Sequence, residues 1–194
     1  MASAKITITH GLLPVTVHMG VGSRLFLSGE LRFETWMGSR RPIFISLGSG
    51  STLRIAGDFT IGPGCRISLS PDSELTIGGR KTESASGITE NTLVMVKKRV
   101  VIGTDFICSW DCFITDCNWH LLEGRPSQSD TVIGDHVWVA HGVSILQGAR
   151  IGDGSVVASR SLVIKEHPQL RALLAGNPAR VVRTDEKWSR DIPN

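Results

Sequence analysis

The chain has 194 residues, 41% of them hydrophobic and 20% charged, with a net charge of +3, as suits one soluble domain long enough to bury a sizeable core. So small a charge, with no basic run longer than Lys97-Lys98-Arg99, leaves no electrostatic footprint for nucleic acid. No apolar stretch approaches the roughly 18 residues that would span a membrane.

The N-terminus alternates Ile6-Thr7-Ile8-Thr9, a strand pattern and not that of a signal peptide. The four cysteines Cys65, Cys108, Cys112 and Cys117 are accordingly expected as reduced thiols in a cytoplasmic protein. From Leu13 the residues Met19, Leu25, Leu31, Met37, Ile43, Ser49, Ile55, Ile61 and Ile67 recur every sixth position, and only Ser49 is not apolar. An irregular segment over 79–95 shifts this frame by one, and it resumes through Val96, Ile102, Cys108 and Ile114 to His120. Cys108 and Cys112 occupy two inward positions of one unit and are expected in the core. The Cys-x3-Cys-x4-Cys spacing fits no common zinc pattern.

A second loop is expected over 121–132. Beyond it Ile133, Val139, Ile145, Ile151, Val157 and Val163 keep the period without exception. Period six fits neither a helix nor simple strand alternation. It fits short strands joined by tight bends, three equal hexads to a turn, wound as a parallel β-helix. In such a coil Ile133 lies under Ile151 and His141 under Ser159. The repeat ends near Lys165, and an apolar run, the break Gly176-Asn177-Pro178 and a basic strand through Arg183 follow. The main domain is thus expected over 1–183. The tail is 184–194, and within it Asp185 to Arg190 are expected to form one short helix anchored by Trp188.

The block from Ile133 to Lys165, followed by Ala175-Gly176-Asn177-Pro178-Ala179-Arg180-Val181-Val182-Arg183, resembles the hexapeptide-repeat acyltransferases. Its nearest subgroup is that of the sugar and polysaccharide O-acetyltransferases, such as maltose and galactoside acetyltransferase. The resemblance implies a left-handed β-helix, although ordinary parallel crossovers are right-handed. It also implies a homotrimer, acetyl-CoA as co-substrate and a sugar, nucleotide-sugar or oligosaccharide acceptor, with no metal.

The run Thr115-Asp116-Cys117-Asn118-Trp119-His120 is similar to the family's Asp-x-Asp-x-His stretch, with Asn118 in place of the second acid. The resemblance makes His120 the general base, a role for which imidazole is suited near neutral pH. Asp116 and Trp119 are then acceptor contacts. Asn91 stands where the family has an Asn that binds substrate or stabilises an oxyanion. Ala140, His141 and Ser159 align with positions that contact coenzyme A, and Lys165, Arg180 and Arg183 would supply charge for its phosphates. His141 also superficially matches a zinc ligand of the γ-class carbonic anhydrases, but the second His expected nearby is absent. Two other readings stay open: an N-acyltransferase of an amino-sugar nucleotide, and a β-helix used only as a scaffold.

Overall fold

The computed structural model describes residues 5–8, 13–35, 38–80, 86–121, 123–124 and 126–191. Among them are 23 strands and no helix. They form three sheets of nine, seven and seven strands, the faces of a left-handed β-helix. The chain visits the faces in rotation. Lys5–Ile8 opens the first, Val15–Met19 the second and Arg24–Leu27 the third.

Between coils the named strands pair in parallel, so both edges of each inner strand are bonded and branched side chains stack directly on their equivalents. On the second face Val17, Ile45, Ile67, Val94, Ile114, Ile145 and Val163 are successive partners. From Ile45 onward none is more than 1% exposed. Each such side chain contributes about 1.5–3 kcal/mol by leaving water.

The turn of three hexads holds from Ile133: Ile133 pairs with Ile151, Val139 with Val157 and Ile145 with Val163. Upstream the turns are longer and unequal, since Val17 pairs with Ile45 and Ile45 with Ile67. Strands there run four to six residues on the second and third faces and bury alternate side chains, as in Ile43, Ile45 and Leu47. Counting by sixes therefore finds core residues in this half but not their true neighbours. Met19, inside that count, is 47% exposed, and Met37 lies outside the described residues.

The first expected loop is corrected, and the second only at its end, where Thr131 and Val132 are in a strand. Within 79–95, Ser86–Glu90 and Leu93–Val96 are strands, and 81–85 lie outside the described residues. The second excursion begins after strand Phe113–Thr115, is braced by a bridge between Cys117 and Gln128, and ends at strand Thr131–Ile133. The four cysteines are free and buried. Burial pushes the Cys65 thiol up to about 11, away from nucleophilic chemistry.

Leu173–Gly176 extends the first face, and Ala179–Arg183 folds back on it antiparallel across the cis Asn177–Pro178 bond. The described part of the tail, 184–191, is irregular and not helical. Trp188 does anchor it, stacking on His136 with ring centres 4.0 Å apart and donating from Nε1 to the His136 carbonyl.

Candidate active site

The corner between the first and second faces must bend the chain sharply within a few residues, which calls for the left-handed backbone region. Gly64, Asn91, Asp111, Gly142 and Arg160 occupy it there, with φ between 53° and 71°. Gly, Asn and Asp are the residues that tolerate it best. Backbone bonds tie the column together: Asn91 N–H to Pro63, Asp111 N–H to Glu90, Gly142 N–H to Trp110 and Arg160 N–H to His141.

Stacking brings side chains into line along this edge. Asn91 Nδ2 donates to Asp111 Oδ1 at 2.5 Å, and Asp111 Oδ2 lies 3.3 Å from His141 Nε2. The His141 ring also lies 5.6 Å, centre to centre, from the Trp110 indole. Ser159, exposed, follows one coil above His141, since Val139 pairs with Val157. Ala140 is buried, and its backbone is spent within the fold: its N–H donates to Val157 and its carbonyl accepts from the Cys112 thiol.

Below Asn91 the edge opens into a cleft of about 590 Å³, bordered by Arg41, Phe44, Gly64, Arg66, Asn91 and Leu93 among others. The sequence reading missed Asp111, Trp110, Arg41 and Arg66. Asp111 follows Asn91 by one turn of the coil, a relation visible only once the length of that turn is known.

The stretch carrying His120 lies at the opposite end of the second face. Asp111 and Asp116 bracket that face, five residues apart, or roughly 16 Å at about 3.3 Å per strand residue. His120 and Trp119 are exposed there, Trp119 with φ of 63° and its N–H donating to Cys117 Sγ. One chain therefore does not bring His120 to Asn91 and His141.

Asp116, expected as an acceptor contact, is wholly buried. Its carboxylate accepts the backbone N–H groups of Lys97, Lys98 and Arg99 at 2.7, 2.7 and 2.6 Å. It holds the turn of the coil beneath, because those donors would otherwise be orphaned, and it presents no free edge to a sugar.

Lys165, Arg180 and Arg183 are exposed at the C-terminal end of the prism. Arg183 pairs with Glu186 at 2.8 Å. Buried His167 sits between Lys165 and the Ala179 backbone. Burial first, then the Lys165 charge, pushes its pKa below the ordinary histidine value, against a backbone bond at Ala179. Among the described residues no group of three or more His, Cys, Asp or Glu side chains is placed to hold a metal ion, and no helix is long and apolar enough to cross a membrane.

Residues 130–165 match the family model described as bacterial transferase hexapeptide (six repeats). A probable macrolide acetyltransferase of Lysinibacillus sphaericus is 36% identical over 90 residues, which is 43% of this chain and 49% of that protein. The putative acetyltransferase YvoF of Bacillus subtilis is 33% identical over 99 residues, 51% of this chain and 56% of that one. The chain spans about half the length of these curated relatives. Among solved structures, the polysialic acid O-acetyltransferase OatWY superposes with a TM-score of 0.55 at 20% identity, covering 99% of this chain and 93% of that one. The polysialic-acid-specific acetyltransferase NeuO gives 0.52 at 20% identity, covering 97% and 87%. At that identity the likeness is one of fold.

Proposed function

We propose that this chain, a hexapeptide-repeat β-helix of the bacterial acyltransferase kind, transfers an acetyl group from acetyl-CoA to a hydroxyl of a sugar or polysaccharide precursor. The observation that carries the reading is the exposed polar line from Ser159 through His141 and Asp111 to Asn91, ending at an open cleft. A long thioester arm can lie along such an edge with its phosphates toward Lys165, Arg180 and Arg183 and its acetyl group near Asn91. The curated relatives named as acetyltransferases support this class of chemistry, and a solved O-acetyltransferase shares the fold.

In the proposed reaction the His120 imidazole takes the acceptor hydroxyl proton as that oxygen attacks the thioester carbonyl carbon. Asn91 gives one Nδ2 hydrogen to Asp111, and its second amide hydrogen is available to the oxyanion. The C–S bond then breaks, and the coenzyme thiolate takes that proton from the imidazolium. Because His120 and Asn91 lie at different corners of one chain, the site is built between subunits of a homotrimer, His120 of one copy facing the Asn91 edge of the next.

His120→Ala should leave the melting temperature and acetyl-CoA affinity unchanged and lower kcat by about 10²–10⁴, the range for loss of a general base. His141→Ala should instead raise the KM for acetyl-CoA. If His120→Ala turned over at the wild-type rate under saturating acceptor, the base assignment would fail. An amine acceptor, which needs less help from a base, would become the better reading.

A further inference from the structure

The cleft below Asn91 holds positive charge that acetyl transfer to a neutral sugar would not use. Among the described residues that line it none is acidic, and two are Arg41 and Arg66. Arg41 makes no side-chain ion pair or hydrogen bond among the described residues, and the Arg66 guanidinium lies only over the Phe44 ring, 5.6 Å from its centre. Phe44 itself is 40% exposed.

The geometry draws these groups toward the proposed chemistry. Gly64 has φ of 71°, and a Cβ built on it would meet Asn91 Oδ1 at 3.1 Å and Arg41 Cδ at 3.4 Å. The arginine stem and the asparagine amide thus converge over Gly64, which has no side chain to hold them apart. A second arginine–phenylalanine pair, Arg54 over Phe26 at 4.4 Å on the third face, has the same stacking, but neither residue lines the clefts at Asn91 and Arg80. Stacking alone is a common surface pairing. Here it borders a cavity within the usual range for small ligands, beside a second arginine.

The basic set at Lys165 and Arg180 belongs to a different level. Along the second face, strand Arg66–Leu69 and strand Leu162–Val163 are separated by four pairings, Leu93–Val96, Phe113–Thr115 and Ser144–Ile145 lying between, or about 19 Å at the spacing of bonded strands. Two basic clusters therefore flank the Asn91–His141 line, one at each end. A coenzyme with its phosphates at the C-terminal cluster would leave the other for the acceptor.

We propose that Arg41 and Arg66 form an anion subsite for the acceptor, which is an acidic saccharide: its carboxylate or phosphate is held by the two guanidiniums while the apolar face of its ring lies on Phe44. That this sugar receives an acetyl group rests on the reading above; that it is acidic rests on the cleft. Guanidinium pairs suit either anion, since both present planar or forked oxygens to two N–H donors.

The test is binding without donor, so that it stands apart from turnover. Wild type, Arg41→Gln, Arg66→Gln and the double variant are titrated calorimetrically with a galacturonate trisaccharide, galactose phosphate, a neutral galactose trisaccharide and, separately, acetyl-CoA. At least one acidic probe should bind wild type about 10- to 100-fold more tightly than the neutral sugar, the worth of one or two charge-assisted hydrogen bonds. The tighter acidic probe identifies the anion. The double variant should lose that preference, with its melting temperature and acetyl-CoA affinity unchanged. Equal binding of acidic and neutral sugars, or no binding of either acidic probe, would overturn the proposal. So would a loss that appeared in acetyl-CoA affinity, which would assign the cleft to the coenzyme phosphates. Arginine-dependent binding of an acidic sugar by a protein that transfers no acetyl group would sink the transfer reading and leave the subsite standing.

Discussion

The two halves of the prism solve one packing problem with different means. From Thr131 to Val163 the strands are two or three residues long and every turn is three equal hexads. From Val15 to Gly79 strands on the second and third faces have four to six residues, and the turns are longer and unequal. Yet one inward ladder runs through both, Ile45 to Val163. What the fold fixes is the stack of inward branched residues and the height of each coil. The chain length spent at the corners is free. The proposed site uses that freedom, since the excursion bearing His120 and the cleft at Arg41 both lie where turns exceed three hexads.

The most severe way to break the comparison is to charge the shared ladder. Ile145 is wholly buried between Ile114 and Val163. A carboxylate there has no water and no partner, which costs several kcal/mol. Ile145→Asp should give no soluble folded protein, as read by circular dichroism and gel filtration. A variant that melted like wild type would show that the ladder does not carry the stack.

The regular half was legible in the sequence because a turn of three equal hexads writes its period directly into residues 133 to 163. In the wide half the same counting caught Ile43, Ile55, Ile61 and Ile67, all buried, because any apolar residue in a half-buried strand has a good chance of facing in. It missed the pairing of Ile45 with Ile67, since corner lengths leave no trace in hydrophobicity. At the site, the positions of His141 and Ser159 on one edge followed from the period. The inward turn of Asp116 did not, because a carboxylate in an Asp-x-Asn-x-His stretch looks the same whether it faces solvent or three backbone amides. Arg41, Arg66 and Asp111 were unreadable for the same reason as the turns: coils of unequal length bring Asp111 to Asn91 and the two arginines to the cleft beside it.

Asp116 marks the joint between the halves, and removing it should be the next largest effect. Asp116→Ala leaves three N–H groups of residues 97–99 without their acceptor, at about 1 kcal/mol or more each. The expected loss is about 3 kcal/mol, or on the order of 10 °C in melting temperature. Asp111→Ala, at a carboxylate whose side chain is 46% exposed, should shift melting by no more than about 2 °C while raising the KM for acetyl-CoA through His141. Equal destabilisation by both would place Asp111 in the scaffold.

At the tight end, Lys165→Ala and Arg180→Ala should each weaken acetyl-CoA about tenfold and leave acetyl-pantetheine, which lacks the nucleotide phosphates, within about twofold, since each removes one charge-assisted contact. Titration of both donors reads the difference. Equal losses for the two would mean that these cations do not touch phosphate.

The smallest effect concerns the clamp that ties the halves together at the corner between the third and first faces. Asp105 receives Arg80 of the wide half at 2.9 Å, His136 of the tight half at 2.5 Å and Arg190 of the tail at 2.6 Å. Burial by itself would raise the Asp105 carboxyl. Bonds from His136 and Arg190, with the charges of Arg190 and Arg80, outweigh it and hold the carboxyl below its ordinary value. A carboxyl lowered in the folded state contributes stability that is fully present above the ordinary aspartate range, near pH 4, and is lost as pH falls through the lowered folded value. Asp105→Asn should therefore melt about 2–4 °C below wild type at pH 7, the worth of a partly exposed ion-pair network. The gap should begin to close as pH falls below about 4 and vanish only below the lowered folded value, where both chains carry a neutral group at this position. Deleting residues 184–194 removes Arg190 and Trp188 and should reproduce part of the deficit at pH 7. A gap that stayed constant down to pH 2 would mean that Asp105 supports the corner by shape alone, and the two halves would then be held together only by their shared ladder.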